Sequence, residues 1–318
     1  MARNLRKGLG SDQTLLICDI DKDTIARFQD EAKDDGPVGV VSNGFEAAKA
    51  AVPQPTETKL TPTPQNAVIT MLPDAAAVES VYLDPTTGIL AGISSTNSPN
   101  KLIMECGTIE TATIAAISTA FSTTTPTSTF LDAPVSGGPM GASAGTLAFM
   151  VGAPSSTSFT HAVHSYLTHM GSAPSIFHCG GVGAGTAFKL INNYLSAITS
   201  LAASEALNIG VKAGLDPKLL TAAINAGGGQ CWVTSKANPV PGVQEGVPSA
   251  RRYEGGFRLE LCAKVLRMGA RLAESVGART VLDRPTMAAF EEAGKDERYA
   301  GRDARVVYKW LSESERRE

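Results

Sequence analysis

From Thr14 to Ile20 the chain runs Thr-Leu-Leu-Ile-Cys-Asp-Ile, a β-rich stretch ending in acids, and Asp23-Thr24 then opens a helical spacing of apolar positions through Ala32. The alternation recurs: Val38–Val41 into Gly44–Ala51, Ala67–Met71 into Asp74–Tyr82, Leu102–Cys106 into Glu110–Ala120, and Thr129–Leu131 into a glycine-rich loop. Strands alternating with helices predict a parallel sheet covered on both faces, an α/β doubly wound domain of the Rossmann type. Between two of these units, Pro53–Gln65 is rich in Pro and Thr and has no apolar period, so it reads as an exposed insertion.

After Phe177 the pattern changes. Ala184 to Ala213 keeps a helical period without Pro, Asp216-Pro217 supplies a capping residue and a first-turn proline, and Leu259–Ser275, Pro285–Ala293 and Ala304–Leu311 are also helical. The expected organisation is a nucleotide-binding domain over 1–182 and an all-helical domain over 183–318, with a substrate cleft between them.

Composition narrows the function. A formal net charge of −3 without any Lys/Arg run offers no footprint for nucleic acid or an anionic membrane, so the expected partner is a small metabolite. The apolar runs are shorter than the ~18–20 residues of a membrane span, and no signal or other targeting segment is read. Five cysteines at 18, 106, 179, 231 and 262 have neither metal-ligand spacing nor a disulfide framework, which points to a reducing compartment. His161, His164, His169 and His178 match no metal spacing either, and no metal site is expected.

A carboxylate at the end of a strand in a nucleotide-binding sheet can accept hydrogen bonds from adenosine ribose hydroxyls and repel a 2′-phosphate. Asp19 stands there, with Asp21 beside it and no companion Arg, so NAD is expected over NADP. A solvated turn acid is the ordinary alternative; the repeated strand–helix context favours the ribose. The fingerprint G-x-G-x-x-G should precede this strand by about twenty residues, and it is absent. Gly8-Leu9-Gly10 follows a helical Met1–Lys7 and precedes a strand, the reverse of the required order, and reads as a helix stop. Gly180-Gly181-Val182-Gly183-Ala184-Gly185 precedes a helix but comes after the sheet has ended.

Three blocks share one pattern: Asp132-Ala133-Pro134-Val135-Ser136-Gly137-Gly138, then Gly180-x-x-Gly183-x-Gly185-x-x-x-Lys189-x-x-x-Asn193, then Lys264. Together they resemble the β-hydroxyacid dehydrogenase family. Gln230-Cys231-Trp232, Asn238-Pro239-Val240-Pro241-Gly242-Val243, Pro248-Ser249 and Gly255-Gly256-Phe257 look narrower still, similar to the 3-hydroxyisobutyrate dehydrogenases. The similarity runs almost end to end, and Met1-Ala2-x-Asn4-Leu5 matches that family's first helix just after its glycine loop. The chain is therefore expected to be N-terminally truncated, its sheet lacking the first strand.

The resemblance implies oxidation of 3-hydroxyisobutyrate to methylmalonate semialdehyde with NAD, a step of valine catabolism, in a mitochondrial homo-oligomer. It makes Lys189 the proton acceptor and Asn193 a substrate-orienting residue. The residues themselves agree: at spacing i, i+4 both side chains leave one helix face, and a desolvated lysine can titrate low enough to take a hydroxyl proton. The ordinary alternative is a lysine lying along a helix flank. Ser136, Gly137 and Gly138 would hold the substrate carboxylate, since consecutive glycines let backbone N–H groups turn toward an anion, although Ser-Gly-Gly is also a common turn. By the same resemblance Leu72, Pro73, Thr108 and Lys264 contact the cofactor, where the bland readings are strand-end turns and a solvated lysine. Trp232 packs either on the substrate or on the helical core. Three positions depart from the family: Gly107 for its Ser, Ala77 for its Asn and Val265 for its Asp. Two rivals accompany this reading. One is another β-hydroxyacid substrate, as in a tartronate semialdehyde reductase; the other is a non-catalytic remnant that only oligomerises.

Overall fold

A computed structural model of the chain describes residues 1–50, 66–96 and 100–313, so the insertion expected at Pro53–Gln65 lies outside the described residues. The chain divides into two compact units, Met1–Lys189 and Leu190–Glu318.

The first unit opens with helix α1 (Ala2–Gly8), which ends where Leu9 turns extended and donates its N–H back to Leu5 and Arg6. The strand follows only at β1 (Leu15–Ile17), so Gly8-Leu9-Gly10 is a helix stop, as its order in the sequence implied. Arg6 is fully buried, and its guanidinium donates to the carbonyls of Leu9, Gly10, Gln13 and Asp35, tying helix, stop and the next connection into one knot.

Strand β1 pairs in parallel with β2 (Val38–Val40), Leu15 opposite Val38. A separate sheet begins with β3 (Ala67–Thr70), β4 (Leu102–Glu105) and β5 (Thr129–Asp132), all parallel and in register from Ala67↔Leu102 to Glu105↔Asp132. Among the described residues no hydrogen-bonded strand joins β1–β2 to β3. The sheet is buried on both faces. Leu102, Met104 and Leu131 enter one apolar cluster, Ile103 and Phe130 the other, which is why these strands read as continuous hydrophobic runs. Leu15 and Ala67 pack against the same cluster, so a common core gathers the two sheets.

Beyond β5 the structure adds elements that the apolar pattern did not show. Two-residue β6 (Val135–Ser136) and β5 pair antiparallel with β7 (Leu147–Gly152), and β8 (Gly171–Gly180) runs parallel to β7. Strand β8 carries Pro174 and, among the described residues, pairs with no other strand, and a proline is tolerated at such an edge.

The helix Ala184–Lys212 runs from the first unit into the second. Residues 190–313 contain helices and short turns and no strand among the described residues. Leu259, Cys262, Ala263 and Leu266 of the helix Leu259–Ser275 pack against Phe290, Tyr299 and Val307, a core drawn from the i, i+3, i+4, i+7 face of that helix.

Candidate active site

Asp19 leaves the end of β1 exposed, its Oδ1 accepting the N–H of Asp21 at 2.9 Å. Asp21 is engaged elsewhere: it caps the helix Lys22–Ala32 through the N–H of Asp23 and takes the Thr24 hydroxyl at 2.7 Å. The two acids thus part company, and only Asp19 faces the open pocket of about 420 Å³ formed with Ile20, Ile25, Val40 and Val41. Lys22 also lines this pocket, a cation that the sequence reading passed over.

Leu72 and Pro73 follow β3, and Gly107 and Thr108 follow β4, so adjacent parallel strands bring both turns to the same sheet edge. Pro73 is exposed; Leu72 and Thr108 are half-buried. A side chain at Gly107 would place its Cβ 2.6 Å from Glu105 Oε1 and 2.6 Å from the Leu72 carbonyl, which excludes the family's serine from this backbone. Ala77 sits in the first turn of the helix Ala75–Leu83, its N–H donating to the capping Asp74 at 2.9 Å.

Ser136 is half-buried, while Gly137 and Gly138 are exposed with φ of +127° and +61°, a region where glycine alone is unstrained. Nothing stands within 4 Å of where a Cβ of Gly138 would lie, so this turn faces open space. The start of the same sequence block acts differently. Asp132 is fully buried at the end of β5, its two carboxylate oxygens accepting the N–H groups of Gly183 and Thr186, each at 2.6 Å. It thereby clamps the first turn of the helix Ala184–Lys212, where the helix dipole favours an anion. The glycines Gly180-x-x-Gly183-x-Gly185 now have separate causes: the first two need positive φ (+123° and +92°), and a Cβ on Gly185 would strike the Met150 carbonyl at 2.1 Å.

Lys189 rides on this clamped helix. It is 7% exposed, and no acceptor for its ammonium group is found among the described residues. Desolvation pushes its pKa down to about 8. Asn193, one turn on, is half-buried, its Oδ1 accepting from Asn192 Nδ2 at 3.4 Å.

In the second unit Lys264 is half-buried on the helix Leu259–Ser275, beside the buried Ala263 and Val265. Trp232 begins the helix Trp232–Lys236 and is 58% exposed, so its ring is not a filler of the helical core. One face is covered by the Arg305 guanidinium, 5.3 Å from the ring centroid, and Arg305 Nη1 is held at 3.1 Å by the buried Asp303. Local pattern shows no sign of Asp303 or Arg305 as supports for Trp232, because they lie about seventy positions away. Among the described residues no group of His, Cys, Asp and Glu could hold a metal, and no helix is long and apolar enough to cross a membrane.

A parallel nucleotide-binding sheet with an acid at a strand end, followed by a helical unit, is the build of a two-domain NAD-dependent dehydrogenase. Residues 1–181 match the family described as the NAD binding domain of 6-phosphogluconate dehydrogenase, and residues 183–311 that described as NAD-binding of NADP-dependent 3-hydroxyisobutyrate dehydrogenase. The human mitochondrial 3-hydroxyisobutyrate dehydrogenase is 36% identical over 282 residues, 89% of this chain and 74% of the human one. An NAD-dependent L-serine dehydrogenase of Pseudomonas aeruginosa is 37% identical over 76% of this chain and 77% of its own. Among solved structures, Mycobacterium tuberculosis 3-hydroxyisobutyrate dehydrogenase with L-serine superposes with a TM-score of 0.79 at 28% identity, covering 98% of this chain and 94% of that one. The chain belongs to the 3-hydroxyisobutyrate dehydrogenase family of NAD-dependent oxidoreductases.

Proposed function

We propose that this chain oxidises 3-hydroxyisobutyrate to methylmalonate semialdehyde with NAD, with Lys189 as the proton acceptor. The observation that carries the proposal is the lysine itself, buried without an acceptor, titrating near pH 8, and fixed on a helix whose first turn a buried aspartate clamps. Oxidising the primary alcohol requires the hydroxyl proton to leave as the C–H hydride departs, and the product is the aldehyde. Bound NAD supplies the hydride acceptor. Neutral Lys189 takes the proton at Nζ and later returns it to solvent. Asn193 orients the hydroxyl, and Ser136, Gly137 and Gly138 offer backbone donors to the carboxylate at a turn with open space beside it.

The residues fit the dinucleotide at its adenosine and nicotinamide ends. Asp19 and the pocket beside it suit the adenosine ribose, Leu72, Pro73 and Thr108 stand at one sheet edge, and the family resemblance adds Lys264 as a further cofactor contact. Trp232, stiffened by Arg305, borders the substrate. A homo-oligomer is supported by Phe188, Ile191 and Leu195, exposed large apolar side chains at i, i+3, i+7 on one helix, a face that a second copy would cover. The mitochondrial name of the human relative supports that compartment.

L-serine is the second reading, since it too is a β-hydroxy acid and both a relative and a structural neighbour carry its name. Steady-state rates with (S)-3-hydroxyisobutyrate, L-serine, D-glycerate (the alcohol of tartronate semialdehyde) and 4-hydroxybutyrate, each with NAD, decide. The highest kcat/KM is expected for 3-hydroxyisobutyrate; a higher value for any other acid overturns the substrate. No enhancement of NADH fluorescence on titration, together with no turnover of any acid, would favour a non-catalytic remnant that only oligomerises.

A further inference from the structure

Between the two turns assigned to the cofactor lies a carboxylate for which the mechanism has no use. Glu105 is wholly buried at the end of β4, opposite Thr70 in the register of β3. Its Oε1 accepts the N–H of Gly107 at 2.6 Å, and its Oε2 accepts the Thr70 hydroxyl at 2.5 Å. Thr70 Oγ1 lies 2.5 Å from Tyr82 Oη. Thr70 has one proton and gives it to the carboxylate, so the direction of the chain is fixed: Tyr82 donates to Thr70, and Thr70 to Glu105. Tyr82 is itself fully buried, edge-on to Phe121 and Phe130 at 6.0 and 5.9 Å, so the far end of the chain cannot drift.

We infer that Glu105 is a positioning residue for the cofactor: its carboxylate ties the end of β3, from which the Leu72-Pro73 turn leaves, to the Gly107-Thr108 turn and sets their separation. This rests on the reading of those turns as cofactor contacts. Two features single out this link from an ordinary buried polar group. The Thr70 hydroxyl at the end of β3 and the Gly107 N–H just after β4 belong to different segments and converge on one side chain, so removing it frees the starts of both turns at once. Gly107 meets the same carboxylate from the other side, since a Cβ there would lie 2.6 Å from both Glu105 Oε1 and the Leu72 carbonyl. The long acid and the missing side chain occupy one space, and the departure at Gly107 is the counterpart of Glu105.

No cation is found among the partners of Glu105, and burial pushes its acid up while the N–H and O–H donors pull it down. What the turns require is an acceptor, and an amide can supply one: Gln Oε1 could take the Gly107 N–H, while its NH₂ donates to Thr70. Glu105→Gln and Glu105→Met therefore separate a link through hydrogen bonds from mere filling of space.

The test is steady-state kinetics of the full chain with varied NAD, paired with NADH titration by fluorescence. Glu105→Met should raise KM for NAD and Kd for NADH about tenfold or more, with kcat at saturating NAD and KM for the hydroxy acid little changed, and Glu105→Gln should stay within about threefold of wild type. If Glu105→Met does not fold, Thr70→Val, which removes one donor and the relay from Tyr82, should raise KM for NAD about threefold with kcat kept. A fall in kcat with KM for NAD unmoved, or equal losses in the Gln and Met variants, overturns the inference. Thr108→Val serves as the control for the underlying reading. If it leaves NADH affinity intact, the assignment of that turn fails; if it weakens NADH while Glu105→Met does not, the positioning role alone fails.

Discussion

Replacing Lys189 with methionine should make the protein more stable and inactive at once. At 7% exposure without an acceptor, the lysine is held at a pKa of about 8 against an ordinary 10.5. That shift of about 2.5 units, at ~1.4 kcal/mol each, corresponds to roughly 3 kcal/mol against folding when the side chain is protonated in both states. The pH window follows from the direction of the shift. Below pH 8 folded and unfolded chains both carry the proton and the penalty is complete. Between about 8 and 10.5 the unfolded chain binds more protons than the folded one, so wild-type stability rises with pH and the penalty fades. Methionine fills a similar volume without a charge, so Lys189→Met should gain up to ~3 kcal/mol at pH 7 and little at pH 10.5. Urea unfolding of both proteins at pH 7, 9 and 10.5 measures the difference, and other titrating groups cancel in the comparison. Turnover should fall by about 10²–10⁴-fold for want of a base, with NADH affinity unchanged. A methionine variant that is less stable at pH 7, by an amount that does not change with pH, would refute the reasoning: Lys189 would then have a partner, and its low pKa would be lost with it.

The same titration governs the rate in wild type: kcat/KM for alcohol oxidation should climb about tenfold per pH unit below 8 and level off above it, and a profile flat from pH 6 to 9 would exclude Lys189 as the base. Asp19→Ala should move the NADP-to-NAD ratio of kcat/KM toward NADP by about tenfold or more, because the repelling carboxylate goes while Lys22 stays beside the pocket; an unchanged ratio removes Asp19 from the ribose. Arg252 sits at φ +56°, with Tyr253 next to it at +60°, and is exposed. Arg252→Asn should therefore stabilise by about 0.5–1 kcal/mol in thermal unfolding, and a lower Tm would mean that the arginine side chain itself holds that turn.

Periodicity carried the reading wherever an element buries one face or both. Leu102–Glu105 was legible because alternate residues enter two different cores, leaving an unbroken apolar run, and Leu259–Ser275 because its core contacts keep helical spacing. The pattern failed where burial is partial or the strand lies at an edge. In β8 the run Gly-Ser-Ala-Pro-Ser gives no alternation, since β8 pairs with β7 alone and backbone hydrogen bonding defines it more than its side chains do. Asp19 was legible as a strand-end acid, but its separation from Asp21 was not, because the sequence does not show which of two neighbouring acids will cap the next helix.

The polar supports were the least legible, for a physical reason. Lys189 and Asn193 share one helix, so spacing alone puts them on one face. Asp132, Glu105 and Arg305 act across 54, 35 and 73 positions of sequence, on Thr186, Thr70 and Trp232 respectively. Local period cannot report such pairs, and resemblance drew attention to the Asp132 block only as a substrate loop. The structure divides that block by function. Its glycines end in an open turn, while its aspartate faces inward and fixes the first turn of the helix that carries Lys189. Asp132 is fully buried, and both of its carboxylate oxygens are taken up by backbone N–H groups of the turn that leads to Lys189, so it is a support for that helix and has no oxygen turned to open solvent.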